Sequence, residues 1–225
     1  MVKNILDKIS NDLTSGFIMI LLISKPKTGK THMINYLLKN IIKKRLVDEC
    51  LIFYSNDKIE RDYWYLPSKC RYSVYKENIL QNYINELIAH KEKTGKFKKS
   101  VIVFDDQIMQ VKNTANFVSI LSNFRHYGVS IFFVTQQLKK ENSVFRRMLN
   151  YAIIFKHLGK ESKDALYEAF GSDQFKRPEK FRNYLSNVTN KRYRMLIFDA
   201  DAYNDSQPFQ VFTAPAKLPN IKFIF

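Results

Sequence analysis

The stretch Ser24-Lys25-Pro26-Lys27-Thr28-Gly29-Lys30-Thr31 restricts what this chain can fold into more than any other. It reads S-x-x-x-x-G-K-T, one residue away from the phosphate-binding pattern G-x-x-x-x-G-K-[ST]. Residues 17–23 before it are a continuous apolar run with the length of a buried strand. Residues 32–45 after it carry Met33, Ile34, Leu37, Leu38, Ile41 and Ile42 at helical spacing. A strand, a loop and a helix in that order make a phosphate cradle, because backbone N–H groups and the positive end of the helix meet a dense anion. Residues Ser24, Lys25, Pro26, Lys27, Thr28, Gly29, Lys30, Thr31 and His32 are therefore the expected nucleotide-binding set. Gly29 permits close backbone approach, Lys30 is placed to reach the β- and γ-phosphates, and the Thr31 hydroxyl to ligate Mg²⁺. Pro26 stiffens the loop. Ser24 stands where the pattern has glycine, and is costly there if the turn demands a positive φ. The plain alternative is a basic strand-to-helix turn.

A second anchor is Ser100-Val101-Ile102-Val103-Phe104-Asp105-Asp106, a hydrophobic strand ending in two carboxylates. It has the form of a Walker B element, and a buried strand would carry Asp105 to the carboxyl edge of the sheet, where open α/β folds bind ligands. There Asp105 would hold Mg²⁺, directly or through water, and Asp106 would act as the base or orient water. The alternative is a strand capped by an Asp-Asp turn. A third strand, Val129-Ser130-Ile131-Phe132-Phe133-Val134-Thr135, ends in Gln136-Gln137. Gln136 follows it most closely and is the candidate γ-phosphate sensor or water-positioning group; otherwise it is a polar residue opening a loop.

The 225 residues suffice for one good-sized domain, and a hydrophobic fraction of 45% fits a real core. No apolar run approaches the roughly 20 residues of a membrane span, and the N-terminus lacks a long secretory apolar region. Cys50 and Cys70 have no metal or redox spacing, which suits a reducing compartment. The net charge of +16 favours a polyanionic partner, DNA or RNA first. A Lys-, Asn-, Ile- and Phe-rich composition is also what AT-biased genes give. Lys96, Lys98 and Lys99, and Lys139 and Lys140, are basic clusters that either face nucleic acid or solvate a loop.

Periodicity predicts further helices over 3–14, 78–93, 113–127, 142–150, 162–170 and 177–187. Strands are predicted over 50–55, 151–156, 193–199 and 209–213, with 72–75 an edge strand and the tail extended. A crossover helix should make the strand at 50–55 parallel to the first. Residues 1–160, including an N-terminal helix at 1–15, form the expected core; residues 161–225 complete the same domain. The fold class is α/β: a three-layer P-loop NTPase with a mostly parallel central sheet, flanking helices and a C-terminal β-hairpin.

The run Asn123-Phe124-Arg125-His126-Tyr127-Gly128-Val129-Ser130, followed by a strand ending in Thr-Gln-Gln, resembles the FtsK/HerA superfamily. Within it, residues 17–160 look most like the compact genome-packaging ATPases of large eukaryotic DNA viruses and virophages. The resemblance implies an ATP-driven motor, with Mg²⁺, acting as a hexameric ring that threads double-stranded DNA into a preformed capsid. Its partners would be DNA, further copies of itself and viral capsid proteins. Its location would be the cytoplasmic viral factory of the host cell, and the virion. The superfamily places an arginine finger in trans. Arg125 is the first candidate and Arg146 and Arg147 the next, although Arg125 also fits a cation at a helix C-terminus. Ser24 and Asp106, where many relatives carry Gly and Glu, depart from the pattern. Two other readings are a nucleoside or nucleotide kinase, which needs an acceptor pocket and an arginine-rich lid, and a basic nucleic-acid-binding protein with a decayed nucleotide site.

Overall fold

A computed structural model of the chain describes residues 5–55, 61–107, 114–136, 138, 147–156, 159–202 and 208–221. Eight strands form one sheet: β1 (Met19–Ile23), β2 (Glu49–Tyr54), β3 (Arg71–Tyr72), β4 (Ser100–Asp105), β5 (Val129–Thr135), β6 (Tyr151–Ile154), β7 (Arg194–Asp199) and β8 (Phe209–Thr213). Their order is β3-β2-β4-β5-β1-β6-β7-β8. The first six are mutually parallel; β6–β7 and β7–β8 pair antiparallel. The antiparallel strands β7 and β8 are the C-terminal hairpin, and they extend the same sheet. Strand β2 is parallel to β1 as expected, but β4 and β5 lie between them.

The helices are α1 (Ile5–Ser15), α2 (Lys30–Lys43), α3 (Glu77–Thr94), α4 (Ala115–Asn123), α5 (Lys160–Leu166) and α6 (Pro178–Val188). Every residue of β1, β4, β5 and β6 is buried, as a parallel sheet covered on both faces requires. Ile20 and Leu22 point to the layer containing α1 and α2. Met19, Leu21 and Ile23 point to the layer containing α3, α4 and α6. Helix α1 lays Ile5, Ile9 and Leu13 on the first layer. Polar contacts from Lys8 to Asp199 and from the Tyr151 hydroxyl to Asp12 fix it across the start of β6 and the end of β7.

Three elements differ from the sequence expectation. The helix predicted over 113–127 is α-helical only to Asn123 and tightens into a 3₁₀ turn over Phe124–Tyr127. Its entry is set by Thr114, whose hydroxyl accepts from the Phe117 N–H at 3.1 Å. The helix predicted over 162–170 starts at Lys160 and widens into a π turn over Tyr167–Gly171. The edge strand is Arg71–Tyr72, just upstream of most of the predicted span. Residues 142–146 of the predicted 142–150 helix lie outside the described residues.

The chain reverses into β5 at Gly128, with φ 77°. A Cβ there would fall 2.8 Å from the Phe97 ring. Gly128→Ala is therefore expected to lose roughly 2–4 kcal/mol of stability, from left-handed strain plus overpacking. Urea unfolding measures this; a loss under about 0.5 kcal/mol would contradict the turn geometry.

Candidate active site

The parallel register brings three strand ends to one level at the carboxyl edge. Ile23 pairs with Thr135, and Val134 pairs with Asp105. The Ser24 N–H donates to the Thr135 carbonyl at 3.1 Å, and the Asp106 N–H to the Val134 carbonyl at 2.9 Å. The loop after β1, the carboxylates after β4 and the glutamine after β5 thus emerge side by side.

Ser24 is fully buried, and its hydroxyl donates to the Lys25 carbonyl at 2.9 Å. It is not among the positive-φ residues. The left-handed positions of the loop are Lys27, φ 62°, and Gly29, φ 104°. The first position of the octet does not need glycine's freedom here, so serine is no steric burden; the strain falls on Lys27 instead. The Thr28 hydroxyl donates to the Lys25 carbonyl at 2.8 Å and tightens the turn. At Gly29 the requirement for glycine is conformational: a Cβ would make only ordinary contacts, the nearest at 3.5 Å to the Tyr193 ring. Helix α2 begins at Lys30, so the loop N–H groups and the helix terminus face the same space.

Lys30 is nearly buried, and its Nζ donates to Asp106 Oδ1 at 3.1 Å, with Oδ2 at 3.4 Å. Gln136 Nε2 donates to Asp106 Oδ2 at 2.9 Å. Lys30, Asp106 and Gln136 therefore form one cluster, drawn from the first residue of α2 and the residues that follow β4 and β5. Asp106 has φ 53°, a left-handed conformation that Asp tolerates better than longer side chains. This gives a backbone reason for Asp where many resembling proteins carry Glu.

Asp105 lies beneath, 2% exposed. The buried Tyr63 hydroxyl donates to its Oδ2 at 2.8 Å. Burial pushes the Asp105 carboxyl up to about 6; the Tyr63 hydrogen bond and Lys30 oppose this, and Asp106 adds to it. Tyr63 went unnoticed in the sequence, because an aromatic in an irregular stretch carries no periodic signal.

Other predicted residues lie elsewhere. Arg125 is at the opposite, amino-terminal edge of the sheet. Its Nε donates to the Phe17 carbonyl at 3.2 Å, its Nη2 to Asn150 Oδ1 at 3.4 Å, and its guanidinium lies over the Phe124 ring. The length of β1, about 17 Å at 3.3 Å per residue, separates it from the phosphate loop of its own chain. Arg147 is exposed just before β6; Arg146, Gln137, Lys139 and Lys140 lie outside the described residues. Lys98 pairs with Glu49, and Lys99 donates to the Thr14 carbonyl at 3.1 Å, so two of the three lysines before β4 have structural partners. His32 contacts the Pro215 carbonyl through Nε2 at 2.7 Å. Residues 27–32 line a cavity of about 300 Å³ together with Arg192 and Tyr193, two residues the sequence reading did not single out.

The overall fold recurs in solved structures. The genome-packaging NTPase B204 of Sulfolobus turreted icosahedral virus 2, in complex with AMPPCP, aligns over 87% of this chain and 96% of its own, with TM-score 0.61 and 17% identity. The DNA-packaging ATPase B204 of Sulfolobus turreted icosahedral virus aligns over 89% and 98%, with TM-score 0.62 and 15% identity. The fold is the P-loop NTPase fold that these proteins share. The cytoplasmic domain of the type VII secretion ATPase EccC from Thermomonospora curvata shares it over 87% of this chain and 25% of its own, with TM-score 0.60 and 13% identity. No protein-family model matches the sequence, and neither does any curated protein, so the likeness is one of fold.

The donor set suits Mg²⁺. Among the described residues no three His, Cys, Asp or Glu side chains converge as a preformed cage. Mg²⁺ is usually held by one or two protein oxygens together with phosphates and water; the Asp105 carboxylate and the Thr31 hydroxyl are the oxygens available. With the Asp105 carboxyl raised in the fold, nucleotide-free protein is most stable below about pH 4 as far as this group is concerned. It loses that contribution, about 3 kcal/mol at most, as the pH rises through about 6. Asp105→Asn is expected to flatten this part of the pH–stability curve, to stabilise the metal-free protein near pH 8, and to abolish stabilisation by Mg²⁺ with nucleotide. Thermal melts across pH check it; an unchanged profile would remove Asp105 from the role.

Proposed function

We propose that this protein is an ATP-hydrolysing motor that moves double-stranded DNA into a viral capsid. The observation that carries the reading is the convergence of Lys30, Asp106 and Gln136 above the buried Asp105, at the edge where the phosphate loop meets α2. The shared fold with packaging NTPases and the net charge of +16 support it.

Without nucleotide, Asp106 holds Lys30. A triphosphate competes for the same ammonium, and its arrival releases the Asp106 carboxylate. Asp106 then accepts a proton from the attacking water, while Gln136, already within hydrogen-bond reach, orients that water. Thr31 and Asp105 would hold Mg²⁺, which would supply positive charge against the phosphate oxygens. The coupling of Lys30 to Asp106 makes nucleotide binding the event that frees the base.

Arg125 reaches no phosphate of its own subunit, given its place at the far edge. In a ring, one subunit's amino-terminal edge facing its neighbour's nucleotide would place this arginine in trans, as the FtsK/HerA resemblance implies. The site of action would be the viral factory in the host cytoplasm.

Three outcomes are expected. Lys30→Ala should abolish nucleotide binding by calorimetry; retained binding would sink the site. Asp106→Asn should keep or tighten nucleotide binding while hydrolysis falls about 10²–10⁴-fold; parallel loss of both would show that Asp106 only braces the loop. Wild-type ATPase should rise with double-stranded DNA and with protein concentration, and Arg125→Ala should lower the stimulated rate by about 10³-fold or more without weakening binding. Stimulation by free nucleosides rather than DNA would favour the kinase reading.

A further inference from the structure

A cavity of about 300 Å³ lies against the phosphate loop. Its lining is residues 27–32 on one side and Arg192 and Tyr193 on the other. Tyr193, in the turn just before β7, has a left-handed conformation, φ 60°, which is a genuine outlier for a bulky residue. Strain of this kind persists only where surrounding structure enforces it. Here the β7–β8 pairing does so: the Ala214 N–H donates to the Tyr193 carbonyl at 2.9 Å. The result is a ring held against the loop. Its Cδ1 would lie 3.5 Å from a Cβ at Gly29, its centroid is 4.5 Å from that of the His32 imidazole, and the exposed Arg192 guanidinium lies 4.8 Å from its centre.

The geometry points to Tyr193 and Arg192 as the base-binding side of the nucleotide site, a stacking platform for a purine nucleoside triphosphate. This rests on the phosphate-loop reading above and deepens it. The phosphates occupy the loop N–H groups at the start of α2, and the nucleoside extends into the adjoining cavity. There the flat π groups are three: the Tyr193 ring, the His32 imidazole beside it and the Arg192 guanidinium. Among the described residues neither a carboxylate nor an amide side chain lines the cavity, so none of them is placed there to read the hydrogen-bonding edge of a base. Stacking is tolerant of base identity, because every base has a π face. Discrimination of 10⁴-fold or more needs buried polar groups that a wrong ligand leaves unpaired. The site therefore takes purine triphosphates with little distinction between adenine and guanine.

The test is equilibrium binding by calorimetry, with Mg²⁺, of three probes: non-hydrolysable analogues of ATP and GTP, and inorganic tripolyphosphate, which has no base. Wild-type protein is expected to bind the two analogues within about tenfold of each other. Tyr193→Leu is expected to weaken both by about 5- to 150-fold, the range one lost stack is worth, and to leave tripolyphosphate unchanged. Tyr193→Phe should retain wild-type affinity, and Arg192→Ala should weaken the analogues alone. Equal weakening of all three probes by Tyr193→Leu, or of none, would overturn the proposal, as would a preference above about 100-fold for one purine. Should Tyr193→Leu fail to fold, exposed Arg192 decides: unchanged analogue affinity in Arg192→Ala overturns it. If wild-type protein binds neither tripolyphosphate nor the analogues, the phosphate-loop reading itself has failed.

Discussion

The parallel ladder β4–β5–β1 is the constraint on which the rest depends. Its strands are buried on both faces, so each side chain is committed to one layer or the other. A one-residue slip would exchange the two sets. That commitment fixes the register, and the register alone sets Ser24, Asp106 and Gln136 at one height. That alignment is a consequence of core packing: no local interaction among these three residues would align them if Val103, Phe132 and Leu22 did not belong to the same buried layer.

Electrostatics then decides the resting state. Lys30 and Asp105 are both nearly out of water, a costly placement for unpaired charge. Lys30 is satisfied by Asp106, and Asp105 by the Tyr63 hydroxyl and by a shift toward its neutral form. Each partner is also a group that nucleotide and metal would displace or draw on. Under the proposed function, the contacts that hold the free site together are the ones nucleotide and metal would replace.

Polarity along the strands separates two groups of side chains. The carboxyl edge holds the phosphate loop, the acids and the cavity bearing Tyr193. The amino edge holds Arg125, with Asn150 and the carbonyl of Phe17 as its partners, and the lysines before β4 that pair with Glu49 and Thr14. An arginine so placed has structural partners within its own chain.

The sequence by itself determined the strand–loop–helix unit, the acid-ended strand at 100–106 and the Gln-ended strand at 129–136, because burial and local turn chemistry are written in short runs of residues. It also located Lys30, Asp106 and Gln136. Only the tertiary structure decided the strand order, which inserts β4 and β5 between β2 and β1 and so brings those three side chains together. It moved the backbone strain from Ser24 to Lys27 and Asp106, since φ depends on how the loop closes against its neighbours. Tyr63, Arg192 and Tyr193 reached the site from about 40 residues before Asp105 and about 160 after Gly29. Contacts over such distances leave no periodic trace, because they arise from the packing of whole elements and not from the residues beside them in the chain.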